Sequence, residues 1–529
     1  MIKKTFFIVI LSVLLGACSA SPVTATVPPA PSAVTSEPTA TPSADITTSI
    51  PPATPSATPD APSPTPEETP AYPLPLRGTA VHETITEKIY PLTVRTTTYH
   101  QTIAGFGASG AWWAKDVGGW EADKVDRIIG LLFDRQKGIG LNIYRYEVGG
   151  GGVNNATDPW RYAETFESAP GKYDWTRNAN AVNVLKKAVA AGVDNVMFFA
   201  NSPPGRMTAN GRTTGGSSGG SNLKPSMESN FARYLVDIAQ HFRSEGIPVK
   251  YISPFNEPQG KWQESNGQEG CHYEPDQVVS MAQALARELK ARNVSIRPSL
   301  IDSSTWLDKR YTVELYKRLA EDKDVGPLMD HYAVHSYYSS AADKANTLNL
   351  LKASGVKLPL WQTEWCQMEY GVEQGMGPAL MLARTVHEDM VITDCQAWIA
   401  WLAVSNYNYK DGLVYVDLDT RDILETKRMW ALGNYSRFIR PGYRRVEVAG
   451  APGSLLTSAY KSTNGQSIVL VAVNDSQDAV MTDITARGFT AFKAYETSET
   501  RSLELVAQGA TGEYTFPPLS ITTLVLRRS

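Results

Sequence analysis

The apolar and polar positions of the chain follow two different periods, which predict two folded regions. From about residue 101 to 440, short apolar runs alternate with stretches whose apolar residues recur at helical spacing. The helical stretches lie at 179–191, 227–244, 275–292, 307–320, 341–354 and 377–392. The apolar runs end near Gly107, Glu147, Asn201, Glu257, Ser303, Tyr337, Glu364 and Ala403. Eight successive strand–helix units in roughly 330 residues predict an α/β fold, a (β/α)8 TIM barrel.

From about Pro441 the helical period disappears and short strands separated by turns replace it. The predicted strands lie at 443–448, 455–462, 467–474, 479–486, 491–497 and 520–526, with 463–466 as a hairpin turn. This pattern predicts a β-sandwich side domain at 441–529. An alternating run at 84–98 predicts that strands within 77–100 join that domain, ahead of the barrel at 101–440.

The first residues have the pattern of a secretory signal. Lys3 and Lys4 precede an apolar run at 6–15, which is short for a transmembrane helix and leads into Leu-Gly-Ala-Cys at 15–18. The small residues before Cys18 favour a bacterial lipoprotein signal at 1–17, cleaved so that Cys18 carries the lipid. The alternative is an ordinary secretory signal with an incidental cysteine. We therefore expect a membrane-anchored lipoprotein at the bacterial cell surface, outside the cytoplasm.

Residues 18–76 are rich in Pro, Thr, Ser and Ala and carry too little apolar surface to form a core. Such a segment predicts a disordered, extended spacer that reaches on the order of 180 Å when fully stretched. It would hold the folded part of the protein away from the membrane.

Composition narrows the range of functions. The chain has 529 residues, 42% of them hydrophobic, which is enough for a catalytic domain and a smaller partner. The formal net charge of −4 provides no basic field, so nucleic acid is not an expected partner. The 12 Trp and 24 Tyr residues offer ring faces that suit the apolar faces of sugars. We expect a monomer.

Three cysteines remain after Cys18, namely Cys271, Cys366 and Cys395. Their spacing fits no zinc pattern, and the sequence predicts no metal site. An odd number of cysteines cannot all pair with one another. Cys366 and Cys395 lie beside predicted barrel strands and could form a disulfide. Buried free thiols are an equally open alternative.

Residues 251–258, Tyr-Ile-Ser-Pro-Phe-Asn-Glu-Pro, place a carboxylate at the end of a predicted strand. Prolines on both sides of Glu257 restrict the backbone and hold it on an irregular but stiff segment. For such a stretch alone, a surface glutamate after an ordinary strand would be the better explanation. A second strand-end carboxylate, Glu364 in Leu-Pro-Leu-Trp-Gln-Thr-Glu-Trp at 358–365, favours a catalytic pair.

The active sites of (β/α)8 barrels lie at the carboxyl ends of the strands. Glu257 after the fourth strand and Glu364 after the seventh are therefore predicted to meet across the barrel mouth. Two carboxylates about 5–5.5 Å apart suit retaining glycoside hydrolysis, in which one is the acid/base and the other the nucleophile. That chemistry needs a protonated acid and an ionised nucleophile near neutral pH, and it needs no metal or organic cofactor.

Several motifs resemble glycoside hydrolase family 30. They are Ile-Ala-Gly-Phe-Gly-Ala-Ser-Gly-Ala-Trp-Trp at 103–113, Ser-Pro-Pro at 202–204, Ser-Pro-Phe-Asn-Glu-Pro-Gln at 253–259 and Gln-Thr-Glu-Trp at 362–365. With the trailing β-domain, the resemblance runs from about Val81 to the end. It implies that Glu257 is the acid/base, that Glu364 is the nucleophile and that Asn256 holds a 2-hydroxyl group of the sugar.

The resemblance also implies substrate-binding positions. Arg145 would lie near the nucleophile, His335 or Tyr337 would follow the sixth strand, and Trp401 would form the floor at the cleavage point. Further candidates for substrate contact are Trp113, Asn201 and Trp262. For each of these the alternative is a packed barrel residue. Glu164, Glu269 and Trp262 could equally line subsites or be ordinary loop residues.

The loops that would set specificity lie at 259–273, 206–211 and 222–225, and they are similar to the endo-β-1,6-galactanase branch of the family. The resemblance therefore implies an endo-β-1,6-galactanase acting on β-linked polysaccharide, the side chains of arabinogalactan. Branches that cleave glucuronoxylan or β-1,6-glucan, or that release single sugars from chain ends, stay open. Two other classes also stay open: a non-catalytic carbohydrate-binding surface lipoprotein, and a solute-binding lipoprotein built from two α/β lobes.

Overall fold

The structure, a computed structural model, describes residues 88–152 and 158–528. The predicted signal at 1–17, the lipid-carrying Cys18 and the spacer at 18–76 lie outside the described residues. Within the described ranges, no helix combines the length and apolar character that a membrane crossing requires.

The run ahead of the predicted barrel forms a long first strand, β1 (Tyr90–Thr102). Its apolar residues Leu92 and Val94 are buried while their neighbours face solvent, as the two-residue period of a strand requires. β1 belongs to the sheet of the C-terminal strands, described below, and not to the parallel sheet that follows it in the chain.

The apolar runs of the predicted barrel form a curled sheet whose main strands are parallel. The strands of this sheet are β2 (Gly105–Ser109), β3 (Ile143–Glu147), β6 (Asn195–Phe199), β7 (Val249–Ser253), β8 (Arg297–Pro298), β9 (Ile301–Ser303), β10 (Tyr332–His335), β11 (Leu360–Glu364), β12 (Ala397–Ser405), β13 (Gly412–Val416) and β14 (Ile423–Glu425). Between β3 and β6 in the chain, β4 (Glu167–Ala169) and β5 (Lys172–Tyr173) form a small separate hairpin. Strands β2, β3, β6 and β11 are buried throughout, as strands covered on both faces are.

The strand order is β8-β7-β6-β3-β2-β12-β11-β10-β9, with β13 and β14 attached beside β12. The two ends of this path, β8 and β9, are separated in sequence only by Ser299 and Leu300. Side chains from strands that are not neighbours also meet, since the rings of Tyr251 on β7 and Trp361 on β11 have centroids 4.9 Å apart. The sheet is therefore curled around a shared interior.

Nine α-helices occur in the described part of the chain: α1 (Ala114–Val117), α2 (Ala122–Phe133), α3 (Ala179–Ala190), α4 (Glu228–Ser244), α5 (Pro275–Ala291), α6 (Leu315–Glu321), α7 (Ala341–Ala353), α8 (Met376–Val391) and α9 (Lys427–Ser436). Five of the six predicted helices start and end within two residues of these bounds. The predicted helix at 307–320 differs, because its first part forms a π-helical turn at Arg310–Glu314 and only α6 is regular.

The C-terminal strands are β15 (Arg444–Ala449), β16 (Leu455–Lys461), β17 (Ser467–Asn474), β18 (Val480–Ala486), β19 (Ala491–Thr497), β20 (Ser502–Ala510), β21 (Glu513–Phe516) and β22 (Ser520–Arg527). With β1 they form one nine-stranded sheet in the order β20-β19-β22-β17-β16-β15-β1-β18-β21. β1 lies antiparallel to β15 and parallel to β18. Strands β20 and β21 were not predicted, because most of their residues face solvent and give no apolar alternation.

The turn predicted at 463–466 joins β16 to β17, which pair as an antiparallel hairpin from Lys461 opposite Ile468 onwards. Gly465 adopts a φ of 68°, a left-handed conformation that glycine reaches without steric cost. Together the parallel sheet and the strand-rich region do not form the two α/β lobes of a solute-binding lipoprotein.

Candidate active site

Glu257 is held by its own backbone at the carboxyl end of β7. Its φ of 47° lies in the left-handed region, which a glutamate rarely adopts and which persists only where surrounding contacts fix it. Those contacts are present: its N–H donates to the carbonyl oxygen of Asp302 at 3.0 Å, and its own carbonyl accepts from the N–H of Gly260 at 2.8 Å. The prolines beside this segment add to the restriction, so the carboxyl group is presented from a fixed backbone.

Glu364 is the last residue of β11 and is buried. Arg145, the central residue of β3, donates from Nη1 to Glu364 Oε2 at 2.5 Å. The hydroxyl of Tyr337 donates to Glu364 Oε1 at 3.0 Å. Both oxygens of this carboxylate therefore have donors, and one of the donors is permanently charged.

The two glutamates lie face to face with a histidine beside them. One carboxyl oxygen of Glu257, one of Glu364 and a ring nitrogen of His335 all lie within 4.8 Å of one another. Retaining glycosidases have carboxyl groups about 5–5.5 Å apart, whereas inverting enzymes leave about 6.5–9.5 Å for a water molecule. A separation of less than 4.8 Å between two of their oxygens agrees better with the retaining spacing than with the inverting one.

The same three side chains have the spacing of a possible metal-ligand set. The guanidinium of Arg145, however, lies 2.5 Å from Glu364 and places a fixed positive charge against that set. A cation bound there would meet this charge at short range in a poorly solvated site, which disfavours it.

The two carboxyl groups differ in their electrostatic surroundings. Burial raises the pKa of Glu257 to about 8; the charge of Asp302 adds to the effect and that of Arg145 opposes it. Burial also raises the pKa of Glu364, and the charges of His335 and Arg145 oppose the rise; unlike Glu257, Glu364 also accepts a hydrogen bond from Arg145. Two carboxyl groups in such unlike environments suit one protonated acid and one ionised partner.

His335 lies between the two glutamates. Its Nδ1 is 3.0 Å from Glu257 Oε1 and 3.7 Å from Glu364 Oε1. Burial lowers the pKa of this histidine, and the charges of Glu364 and Asp302 oppose the change. A neutral imidazole beside Glu257 adds no positive charge that would promote loss of the Glu257 proton.

Asp302, on β9, is a member of the site that sequence analysis missed. It is fully buried, and it accepts hydrogen bonds from Ser253 Oγ at 2.6 Å and Thr363 Oγ1 at 2.5 Å. It also lies 3.9 Å from Arg145 Nη2 and 3.8 Å from His335 Nε2. The available signal was a charged residue inside an apolar run, which is rarely buried unless it is partnered.

Asn256 and Trp401 both lie near Arg145, whose guanidinium carbon is 5.8 Å from the centroid of the Trp401 ring. The Oδ1 atom of Asn256 accepts from Arg145 Nη2 at 3.0 Å, which fixes the direction of its amide. Trp401 on β12 meets the ring of Trp112 at a centroid distance of 5.0 Å and 87°. Asn201, after β6, donates to Glu147 at 2.5 Å and is buried.

Trp113 is placed differently from the prediction. Its side chain is 0% exposed, and its indole N–H donates to the carbonyl oxygen of Ser109 at 2.9 Å. It therefore has no free surface for a sugar. The neighbouring Trp112 is the residue whose ring contacts that of Trp401.

The loop candidates support the backbone around the site. The indole N–H of Trp262 donates to the carbonyl oxygen of Glu257 at 3.2 Å. Glu269 is buried and accepts from the N–H of Gly152 at 2.7 Å, and Glu164 accepts from the N–H of Asn178 at 2.6 Å. Each of these side chains thus has a structural partner.

Cys271, Cys366 and Cys395 are buried free thiols in the structure, so the disulfide between Cys366 and Cys395 is not formed. Cys366 lies next to the site, with its sulfur 3.8 Å from the hydroxyl of Tyr337.

Arg145→Met is expected to lower the free energy of unfolding by about 3–5 kcal/mol, because it leaves the buried Glu364 carboxylate without its charged partner. Guanidinium denaturation followed by tryptophan fluorescence measures the change. Arg127→Met is the matched control: Arg127 forms a 3.5 Å pair with Glu425, and 52% of its side chain is exposed, so little change is expected. Equal stability of the two variants would show that Arg145 does not hold an ionised Glu364.

Comparison with known proteins places this chain in a family. The family model described as O-Glycosyl hydrolase family 30 matches residues 90–415. An endo-beta-1,6-galactanase of Hypocrea rufa is 26% identical over 411 residues, which cover 72% of this chain and 80% of the relative. The glucuronoxylanase XynC of Bacillus subtilis (strain 168) is 24% identical over 360 residues, or 66% of this chain and 77% of the relative. A crystal structure of a conserved exported protein from Bacteroides fragilis superimposes with a TM-score of 0.75 at 27% identity and covers 82% of this chain and 100% of that one.

Proposed function

Because the chain belongs to O-glycosyl hydrolase family 30, we propose that this glycoside hydrolase is a retaining endo-β-1,6-galactanase that acts on arabinogalactan side chains. The observation that carries the mechanism is the separation of Glu257 and Glu364 oxygens, within 4.8 Å. The substrate rests on the similarity to the Hypocrea rufa enzyme, which spans most of both chains. The loop at 259–273 contacts Glu257 through Trp262, and the loops at 206–211 and 222–225 pair with each other through Thr208 and Leu223. Their resemblance to the galactanase branch supports the same specificity.

We propose that the parallel sheet closes as a (β/α)8 barrel through the interrupted strand formed by β8 and β9. The contact between Tyr251 and Trp361 across the interior supports closure. We further propose that the nine-stranded sheet folds over as a β-sandwich. Residues from strands far apart in its order, such as Phe516 on β21 and Leu526 on β22, share one hydrophobic cluster, which two packed layers would explain.

The first chemical step in this proposal is attack by the Glu364 carboxylate on the anomeric carbon. Arg145 and Tyr337 orient the attacking group through its two oxygens. At the same time Glu257, whose pKa of about 8 keeps it protonated at neutral pH, gives its proton to the departing glycosidic oxygen. The products are a glycosyl ester of Glu364 and a shortened chain with a free hydroxyl group.

In the second step, the Glu257 carboxylate takes a proton from a water molecule that attacks the same carbon. The ester bond breaks, Glu364 leaves as a carboxylate and Glu257 is protonated again, so the enzyme returns to its starting state. Two displacements on one carbon give a product with the original β configuration. Asn256 holds the 2-hydroxyl group in this scheme, and Trp401 forms the floor beneath the sugar.

The pH dependence of kcat/KM on galactan is expected to be bell-shaped. Activity requires protonated Glu257, so it is present below pH 8 and falls as pH rises through that pKa of about 8. Activity also requires ionised Glu364. Because the pKa of Glu364 is raised, the acid limb of the profile should lie at a higher pH than an ordinary glutamate would give. Repeating the profile with a β-glycosyl fluoride, whose leaving group needs no proton, should remove the alkaline limb. An alkaline limb that persists with the fluoride would mean that another group causes it.

Product analysis tests the substrate directly. The purified protein is incubated with β-1,6-galactan from arabinogalactan, with β-1,6-glucan and with glucuronoxylan, and Glu364→Ala serves as the contamination control. A ladder of β-1,6-galacto-oligosaccharides is the expected result. Cleavage of only one of the other polymers would move the specificity to that branch, and release of single sugars alone would indicate an exo-enzyme. Cleavage of none would favour a carbohydrate-binding role.

We also propose that Cys18 carries a lipid and holds the enzyme at the cell surface as a monomer, with residues 19–76 as the spacer. The sequence pattern at 1–18 supports this, and the similar structure from Bacteroides fragilis is that of an exported protein. Labelling with a palmitate analogue should mark the native protein but not Cys18→Ala. Equal labelling of both proteins would overturn the proposal.

A further inference from the structure

Two large aromatic side chains are exposed on the loops that follow β10 and β11. Tyr338 is 74% exposed and Tyr370 is 68% exposed. Tyr338 follows Tyr337, whose hydroxyl contacts Glu364, and Tyr370 lies on the segment that leaves Glu364. Their rings are therefore exposed to solvent at the carboxyl ends of the parallel strands, where the two glutamates also lie.

The loop that carries Tyr370 is fixed in place. Tyr370 forms an antiparallel bridge with Tyr409, on the loop after β12, and the two rings are 5.4 Å apart at 86°. The N–H of Lys410 donates to the carbonyl oxygen of Glu369 at 2.8 Å, and that of Gly371 to Asn408 at 3.2 Å. The exposed ring of Tyr370 thus stands on a short two-stranded ladder, so little ordering is required when a ligand binds to it.

Tyr338 is held in an uncommon backbone conformation. Its φ of 52° is left-handed, which bulky aromatic residues seldom adopt and which is found mainly where function or packing requires it. Its ring centroid is 6.3 Å from that of Tyr337.

We propose that Tyr338, Tyr370 and Tyr409 form an aromatic platform that binds the leaving-group side of a β-linked galactan chain by stacking on the apolar faces of its sugars. The proposal rests on the proposed function. The leaving group is the part of the substrate that Glu257 protonates, and Tyr338 lies on the loop that begins after His335, whose Nδ1 is 3.0 Å from Glu257 Oε1. Trp401 and Trp112 form a separate aromatic pair beneath the cleavage point, so the platform continues the cleft beyond it.

The test compares substrates that differ only in the leaving group. Each of Tyr338→Ala and Tyr370→Ala is expected to lower kcat/KM for β-1,6-galactan about threefold to tenfold, the range that loss of an aromatic stacking contact gives. The same variants should cleave β-galactobiosyl fluoride at the parental rate, because fluoride is too small to reach the platform. Tyr370→Phe should retain activity on galactan, because the ring face and not the hydroxyl makes the contact.

Tyr99→Ala is the matched control, since Tyr99 is 40% exposed on β1, in the strand-rich region, and plays no part in the site. This variant should cleave both substrates with the parental kcat/KM. Parental galactan turnover by the double variant Tyr338→Ala/Tyr370→Ala would overturn the platform, and so would an equal loss on galactan and on the fluoride.

Failure of the proposed function has a different signature. In that case the parental enzyme itself would leave β-1,6-galactan intact, whatever the tyrosine variants do. The comparison would then be made with the polymer that the parent cleaves and the matching glycosyl fluoride. A selective loss on that polymer would support the platform with a different sugar, and no selective loss would overturn it.

Discussion

Glu364→Ala should lower kcat on β-1,6-galactan by about 10⁵-fold, the scale on which removal of a nucleophile acts. The loss follows from the geometry: Arg145 donates to the Glu364 carboxyl group at 2.5 Å, and a carboxyl oxygen of Glu364 lies within 4.8 Å of one of Glu257. Initial rates of reducing-end formation measure it. Glu321→Gln, on the exposed end of α6, is the control and should be as active as the parent.

Added azide distinguishes a lost nucleophile from a damaged fold. In Glu364→Ala, azide can occupy the space of the missing carboxylate and attack the anomeric carbon of an activated β-glycoside. This single displacement inverts the configuration and gives the α-glycosyl azide. Its appearance would identify Glu364 as the nucleophile. Near-parental activity of Glu364→Ala without azide, in a preparation free of contaminating enzyme, would remove the assignment.

Glu257→Ala is expected to have the second-largest effect, and the size of the effect should depend on the leaving group. With galactan, whose leaving oxygen needs a proton, kcat/KM should fall by about 10³-fold to 10⁴-fold. With a β-glycosyl fluoride, which departs without protonation, kcat/KM should stay within a few-fold of the parental value. Rates on the two substrates, measured side by side for the variant and the parent, give the comparison.

Azide again adds a stereochemical test. In Glu257→Ala, azide enters in place of the deprotonated water and attacks the glycosyl ester of Glu364, so the product is the β-glycosyl azide. The two alanine variants are thus predicted to give azides of opposite configuration. A uniform loss on galactan and fluoride in Glu257→Ala, with no azide product, would mean that Glu257 is not the acid.

The placement of Glu257 after β7 and of Glu364 at the end of β11 could be predicted because the signals are local in the sequence. Each stands at the end of an apolar run, with prolines around Glu257 and tryptophans around Glu364. The contacts that set their different environments are not local. Arg145 meets Glu364 across 219 positions in the chain, and the sequence could only suggest that they were near each other.

Other parts of the site depend on backbone detail that periodicity does not contain. Asp302 was missed because the fifth strand is split into β8 and β9, and its short pieces give only a weak pattern. The sequence indicates Trp113 as a sugar contact, but the order of two adjacent tryptophans does not show which ring is fully buried and which one meets Trp401. The left-handed backbone of Tyr338, which helps to present its ring, has no sequence signal because it occurs at a non-glycine residue.

The most direct test of the account is proton NMR of β-1,6-galactan during the first minutes of hydrolysis, before the new reducing ends mutarotate. A retaining endo-β-1,6-galactanase that uses Glu257 and Glu364 should first produce β-anomeric signals at the ends of oligosaccharides, and the α signals should grow in later. Signals that appear first as the α anomer would contradict the double displacement, and the absence of any new reducing end would contradict the proposed substrate.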